Sequence, residues 1–227
     1  MTTSTSTTPT FDLGVPIVKQ LTAQSEPEVP ESAFAVAGAR LLIGPCKINR
    51  RQSARRLSIR CVATAERTAT AAAGLGLAVE PFSALNELDI AIDGADQIAP
   101  DGWLVKGGGG AHTREKIAAA AADRFIVIAD SSKPVPALHP PIPLELLEFG
   151  LRATLRHLGH VTLRDAPASP DSGIIADYTG SFTDPAQLAA RLSSTPGVIG
   201  HGLFGPDFVS DILVGRGTEV ERRTPRG

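Results

Sequence analysis

Residues 93–116 read Asp-Gly-Ala-Asp-Gln-Ile-Ala-Pro-Asp-Gly-Trp-Leu-Val-Lys-Gly-Gly-Gly-Gly-Ala-His-Thr-Arg-Glu-Lys. Two carboxylates, Asp93 and Asp96, stand three residues apart, and a lysine, four consecutive glycines and a glutamate follow. A run such as Gly107 to Gly110 is poor structural material, because each glycine loses much backbone entropy on ordering. It suits a place where bare backbone must come close to a partner. The acids and Lys106 beside it point to a polar small molecule. A flexible solvent loop is the plainer meaning of a glycine run, but the flanks argue against it here. Leu88-Asp89-Ile90-Ala91-Ile92 enters as a buried strand, Trp103-Leu104-Val105 as another, and a helical pattern follows at Thr113.

Outward from this segment the chain alternates. Ser32 to Ala39 can start a helix, and Arg40 to Ile43 reads as a short strand. Leu57 to Ala63 reads as a strand, Ala65 to Leu75 as an alanine-rich helix, and Leu77 to Pro81 and Leu88 to Asp93 as strands. A helix over Thr113 to Asp123 carries Glu115 in its first turn, and Phe125 to Ala129 is another buried strand. This order predicts an α/β fold: a mostly parallel, doubly wound (Rossmann-like) sheet with helices on both faces. Leu144 to Leu158 reads as a helix that stops at Gly159. Strands at Val161 to Arg164 and Ile174 to Tyr178, a helix at Asp184 to Leu192 and a strand at Val198 to Phe204 then make a small α+β lid domain. Asp211 to Val214 and Thr218 to Arg222 return to the main sheet. The expected division is a flexible tail over 1–31, an α/β catalytic domain over 32–147 plus 205–227, and the smaller domain over 148–204. Ligands of open α/β sheets sit at the carboxyl ends of the strands, where Asp93 and Lys106 both fall.

Composition narrows the function classes. Lys+Arg 22 against Asp+Glu 24 gives a net charge of −2, which offers no overall attraction for nucleic acid. No apolar run is long enough to span a membrane, and no basic-then-apolar signal pattern opens the chain. Cys46 and Cys61 do not make a disulfide framework, and reduced thiols in a cytoplasmic protein are the plain reading. His157 and His160 straddle a helix end without a third ligand nearby, so no metal site is expected.

The ordered motifs resemble a known family. Asp93-Gly-Ala-Asp96, Lys106-Gly-Gly-Gly-Gly-Ala111 and Arg114-Glu-Lys116 are similar to the signature of type A ribose-5-phosphate isomerase. Phe125-Ile-Val-Ile-Ala-Asp-Ser-Ser-Lys133 resembles that family's strand and substrate lysine. Pro141-Ile-Pro-Leu-Glu145 resembles its Leu-Pro-Val-Glu turn, and Pro196-Gly-Val198 with His201-Gly-Leu-Phe204 its late element. Val62-Ala-Thr-Ala-Glu-Arg-Thr68 is close to an earlier Pro-Thr-Ser-x-x-Thr stretch. The resemblance runs from about Arg60 to the C-terminus. It departs upstream, where the family's Gly-x-Gly-Thr-Gly-Ser-Thr phosphate loop is replaced by Pro45 to Ser53. A backbone anion nest needs small residues with free N–H groups, and Pro45 has none. Weak discrimination for a phosphate is the expectation. The cluster Lys47, Arg50, Arg51, Arg55, Arg56 and Arg60 admits three readings: arginines replacing the nest, a solvated basic helix face, or a locally altered stretch.

The resemblance implies a cofactor-independent aldose–ketose isomerase of the pentose phosphate pathway, acting on ribose 5-phosphate and ribulose 5-phosphate. It implies a homo-oligomer, a dimer or tetramer. Glu115 is then the base, Lys106 the donor to the enediolate oxygen, and Asp93 and Asp96 the holders of hydroxyls that assist ring opening. Asp93, Gly94, Ala95, Asp96, Lys106, Gly107, Gly108, Gly109 and Lys133 bind the substrate. No metal and no cofactor is implied. Each residue also has a plainer meaning. Asp93 and Asp96 can cap a turn, Glu115 and Lys116 can open a solvated helix, Lys133 can be a surface lysine, and His112 a tolerated loop residue. Two other functions stay open: a sugar binder without turnover, and a sugar-phosphate deaminase of the same fold type, for which His112 is the only ring-opening histidine near.

Overall fold

The computed structural model describes residues 40–43, 60–74, 76–217 and 219–225. The proposed tail over 1–31, the helix at Ser32 to Ala39 and the stretch Pro45 to Ser53 lie outside the described residues.

A seven-stranded sheet forms the centre, built from β1 (Arg40–Ile43), β2 (Arg60–Ala63), β3 (Ala78–Val79), β4 (Leu88–Asp93), β7 (Ala122–Asp130), β13 (Asp211–Arg216) and β14 (Glu219–Arg223). Its order is β14-β13-β7-β4-β1-β2-β3. Every neighbour pair is parallel except the closing hairpin of β13 and β14. The α/β, mostly parallel expectation is what the chain adopts. The order reverses direction beside β1 and β4, the place where open sheets of this kind open a ligand crevice. Helix α1 (Glu66–Gly74) follows β2, and α2 (His112–Ala120) precedes β7. The apolar core on this sheet includes Leu88, Ala91, Phe125, Val127, Phe204 and Ile212, all essentially inaccessible to water.

A small three-stranded sheet follows β4: β5 (Gln97–Ile98), β6 (Leu104–Val105) and β12 (Leu203–Phe204), all antiparallel neighbours. The third sheet holds β8 (Ile142–Leu146), β9 (Val161–Leu163), β10 (Ile174–Tyr178) and β11 (Val198–His201) in the order β11-β8-β10-β9. Helices α3 (Leu151–Leu158) and α4 (Pro185–Ser193) accompany it. Its core gathers Ile142, Leu144, Leu146, Leu158, Leu188 and Leu192. The start of α4 follows from its sequence. Asp184 accepts hydrogen bonds from the N–H groups of Ala186 (2.8 Å) and Gln187 (3.0 Å), and Pro185 occupies the first turn, where its missing N–H costs nothing.

Two expected elements are corrected. The helix expected over Leu144 to Leu158 begins only at Leu151, and Ile142–Leu146 is a buried strand of the third sheet. The break lies at Gly150, whose φ of +71° is left-handed and ends any run from the strand. Pro143 sits past the last residue paired with β11, so its missing N–H leaves that ladder intact. The strand expected over Val198 to Phe204 is two strands. Gly202 separates them, and they enter different sheets.

Candidate active site

A cavity of about 200 Å³ opens at the carboxyl ends of the central strands. Asp93 closes β4, and its Oδ1 accepts the Gly94 N–H at 2.8 Å, which turns the chain across the sheet edge. The Asp96 N–H donates to the Val105 carbonyl at 2.7 Å, which brings the second acid alongside Lys106. Lys106 follows β6, and its own N–H donates to Gly202 O at 2.8 Å. The antiparallel pairing of β5, β6 and β12 thus places the lysine opposite the end of β4.

The Lys106 ammonium is the centre of the arrangement. Its Nζ lies 3.0 Å from Asp93 Oδ2 and 3.2 Å from Glu115 Oε2, and it donates to the Gly94 carbonyl at 2.5 Å. The three side chains are 4%, 2% and 9% exposed. Burial disfavours the Lys106 charge, but the charges of Asp93 and Glu115 outweigh it and raise the pKa above the ordinary lysine value. Burial pushes the Glu115 carboxyl up to about 7, Lys106 opposes this, and Asp93 adds to it. On Glu115 the cost of burial thus outweighs the pull of the ammonium. Its place in the first turn of α2 favours the anion, yet burial wins. Asp93 Oδ2 faces the ammonium as an ion pair and has no aligned hydrogen bond among the described residues, so a lone pair stays available.

The glycine loop forms the wall. Gly107 has φ of +110°, and a Cβ there would lie 2.7 Å from His112 Nδ1 and 2.8 Å from Pro143 Cβ, so both backbone and space demand glycine. The Gly108 N–H donates to Asp96 Oδ2 at 2.8 Å. Gly109 borders open space, with Arg67 Nη2 at 3.8 Å from where its Cβ would be. Ala95 and Gly94 complete the floor, and Lys133 reaches the cavity from the loop after β7. All nine residues expected to bind substrate therefore line this cavity, as does Glu115.

Sequence reasoning did not single out Thr64 and Arg67 as site residues; Thr64 lines the same cavity from the turn after β2 and Arg67 from the first turn of α1. The available signal was the position of Thr64 just past a strand's carboxyl end. His112 is corrected. It is the first residue of α2 and wholly buried, not a loop residue. Burial, with Lys116 nearby, holds its imidazole down at about 4. Among the described residues no group of three or more His, Cys, Asp or Glu side chains is placed to hold a metal ion. No helix of the described residues is long and apolar enough to cross a membrane.

Comparison with known proteins agrees with this geometry. The family model for ribose 5-phosphate isomerase A (phosphoriboisomerase A) matches residues 60–219. The ribose-5-phosphate isomerase A of Bradyrhizobium diazoefficiens is 41% identical over 189 residues, covering 73% of this chain and 78% of that protein. That of Natronomonas pharaonis is 44% identical over 156 residues, 63% of this chain and 68% of the relative. The solved ribose 5-phosphate isomerase A of Neisseria gonorrhoeae superposes with a TM-score of 0.78 at 26% identity, covering 92% of this chain and 96% of that one. The Methanocaldococcus jannaschii structure gives the same TM-score and identity over 86% of this chain and 95% of its own. Fold, site geometry and sequence match converge, and the chain belongs to the ribose 5-phosphate isomerase A family.

Proposed function

We propose that this chain interconverts ribose 5-phosphate and ribulose 5-phosphate through an enediolate, with Glu115 as the base. The observation that carries the reading is the single ammonium, Lys106, held between Asp93 at 3.0 Å and Glu115 at 3.2 Å on the wall of the cavity. The Glu115 carboxylate takes the proton from carbon 2 of the open-chain aldose. The electron pair moves into the enediolate, the hydroxyl proton on oxygen 2 passes to oxygen 1, and the new carboxylic acid returns its proton to carbon 1 as the carbon 2 carbonyl forms, giving the ketose. A general base works best with a pKa near the working pH, and burial brings Glu115 to about 7. Lys106 stabilises the enediolate oxygen. A positioned donor of this kind is typically worth about 2.7–4 kcal/mol of barrier. Asp93 and Asp96 hold sugar hydroxyls and assist ring opening, and the bare backbone of Gly107 to Gly109 lets the sugar come close.

Lys133 and Arg67 place positive charge on the cavity wall, suited to the phosphate. The scheme calls for no metal, because Lys106 supplies the positive field, and for no cofactor. The family reading extends to a cytoplasmic homo-oligomer, with the reaction in the pentose phosphate pathway, and to a catalytic domain paired with a smaller α+β domain. The test is a coupled assay for ribulose 5-phosphate formed from ribose 5-phosphate, with ribose as the comparison. Turnover of ribose 5-phosphate supports the reading. Sugar binding without ketose formation would replace it with a binding role, and ammonia released from an amino-sugar phosphate would replace it with deamination.

A further inference from the structure

The glycine loop is clamped from the third sheet. Arg164 follows β9, and its Nη1 donates to the carbonyl oxygens of Gly107 at 2.9 Å and Gly108 at 3.2 Å. The other edge of the guanidinium forks onto Asp177 of β10, with Nε to Oδ2 and Nη2 to Oδ1 both at 2.7 Å. Such a bidentate pair fixes both the plane and the direction of the guanidinium. The side chains of Arg164 and Asp177 are about a fifth exposed, so the pair is held in place yet open to small solutes.

The consequence follows from peptide geometry. A trans peptide points its carbonyl and the next N–H in opposite directions. With Gly107 O turned to Arg164, the Gly108 N–H must face away, and it does, meeting Asp96 Oδ2 at 2.8 Å. The hold on Gly108 O turns the Gly109 N–H away from Arg164 in the same manner. We propose that Arg164, oriented by Asp177, is a positioning residue: it sets the peptide planes of the glycine loop and, through the Gly108 N–H, the place of the Asp96 carboxylate on the cavity wall. Arg164 does not line the cavity itself. It acts through Gly107 and Gly108, and it couples the small sheet to the site. A lysine cannot take its place, because one ammonium lacks the fork that grips Asp177 and the loop together.

The effect on rate rests on the isomerase reading above, so the experiment has an arm that does not. Steady-state kinetics and amide hydrogen exchange are measured on the full chain and on Arg164→Ala, Arg164→Lys and Asp177→Asn. Misplacing a positioned group by about 1 Å typically costs about 10²-fold. Arg164→Ala is expected to lose kcat on that scale while KM moves far less. Free guanidinium, at a non-denaturing concentration, should restore part of the kcat of Arg164→Ala, and methylammonium should not. Asp177→Asn should show a smaller loss of the same kind. Amides of Gly107 to Gly110 should exchange faster in Arg164→Ala than in the parent. A kcat equal to the parent's, unchanged loop exchange, or a loss that guanidinium cannot restore would overturn the proposal. If the parent itself is inactive, the isomerase reading fails and the exchange comparison still decides the clamp.

Discussion

At the residue scale, the shifted pKa values make activity and stability both fall as pH falls. Glu115 is a base only when ionised, and its carboxyl stands at about 7. The kcat/KM of the parent should therefore fall roughly tenfold per pH unit below that value and level off above it. A limb centred near the ordinary carboxylate range would mean that the buried acid is not the base. His112 acts on stability. Its folded pKa of about 4 lies below the ordinary 6.5, so the stability it confers is present above about 6.5 and lost as pH falls toward 4. The full loss is on the order of 3 kcal/mol. Lys116, Arg164 and Lys106 are the cations that oppose its charging. His201, held down to about 3 chiefly by burial, loses stability in the same direction. His112→Leu should flatten the urea-melting free energy between pH 6.5 and 4, and an unchanged slope would contradict this. Asp93, Asp96, Lys106 and Glu115 were legible in the sequence because acids, lysine and glycines of this kind lie within one short segment. Arg164 and Arg67 were not. They arrive from other elements, and only the pairing of β9 with β10 and the turn after β2 brings them near the loop.

At the element scale, the site depends on close backbone approach. The Gly202 N–H donates to Pro143 O at 2.7 Å, and Gly202 O accepts from the Lys106 N–H at 2.8 Å. A Cβ on Gly202 would collide with the Lys106 carbonyl and come within 2.9 Å of Pro143 Cδ. Backbone cannot swing aside as a side-chain tip can. Gly202→Ala should cost about 1–3 kcal/mol by overpacking, and the displaced Lys106 should lower kcat as well. A variant with parental melting temperature and kcat would show that the β6–β12 junction is loose. Sequence resolved elements where local signals agreed. β4 occupies Leu88–Asp93 as expected, and Asp184 begins α4 as a capping residue should. It failed at Ile142–Leu146, where Leu144, Glu145, Leu146 and Leu147 are helix formers and continue smoothly into α3. The countersignals were Pro143 and the alternation of Ile142, Leu144 and Leu146. Tertiary burial against β10 and β11 decided for the strand.

At the scale of the whole molecule, the alternating strands and helices sufficed to indicate a mostly parallel sheet. The strand order was not legible, since it depends on crossovers that no local pattern records. The order matters because the reversal beside β1 and β4 puts the ends of β2, β4 and β7 around one cavity, with Asp93 at the end of β4 and Thr64 and Lys133 from the turns after β2 and β7. The charge at its centre comes from side chains of this chain, so isomerisation should continue unchanged in EDTA. Inactivation by the chelator, reversed by one divalent ion, would require a different scheme. The central claim is that Glu115 moves the proton while Lys106 holds the oxygen. Its most direct test is ribulose 5-phosphate formation by Glu115→Gln beside the parent, with folding checked by melting temperature. The account predicts a folded variant slower by about 10²- to 10⁴-fold. A folded Glu115→Gln that isomerises at the parental rate would contradict it.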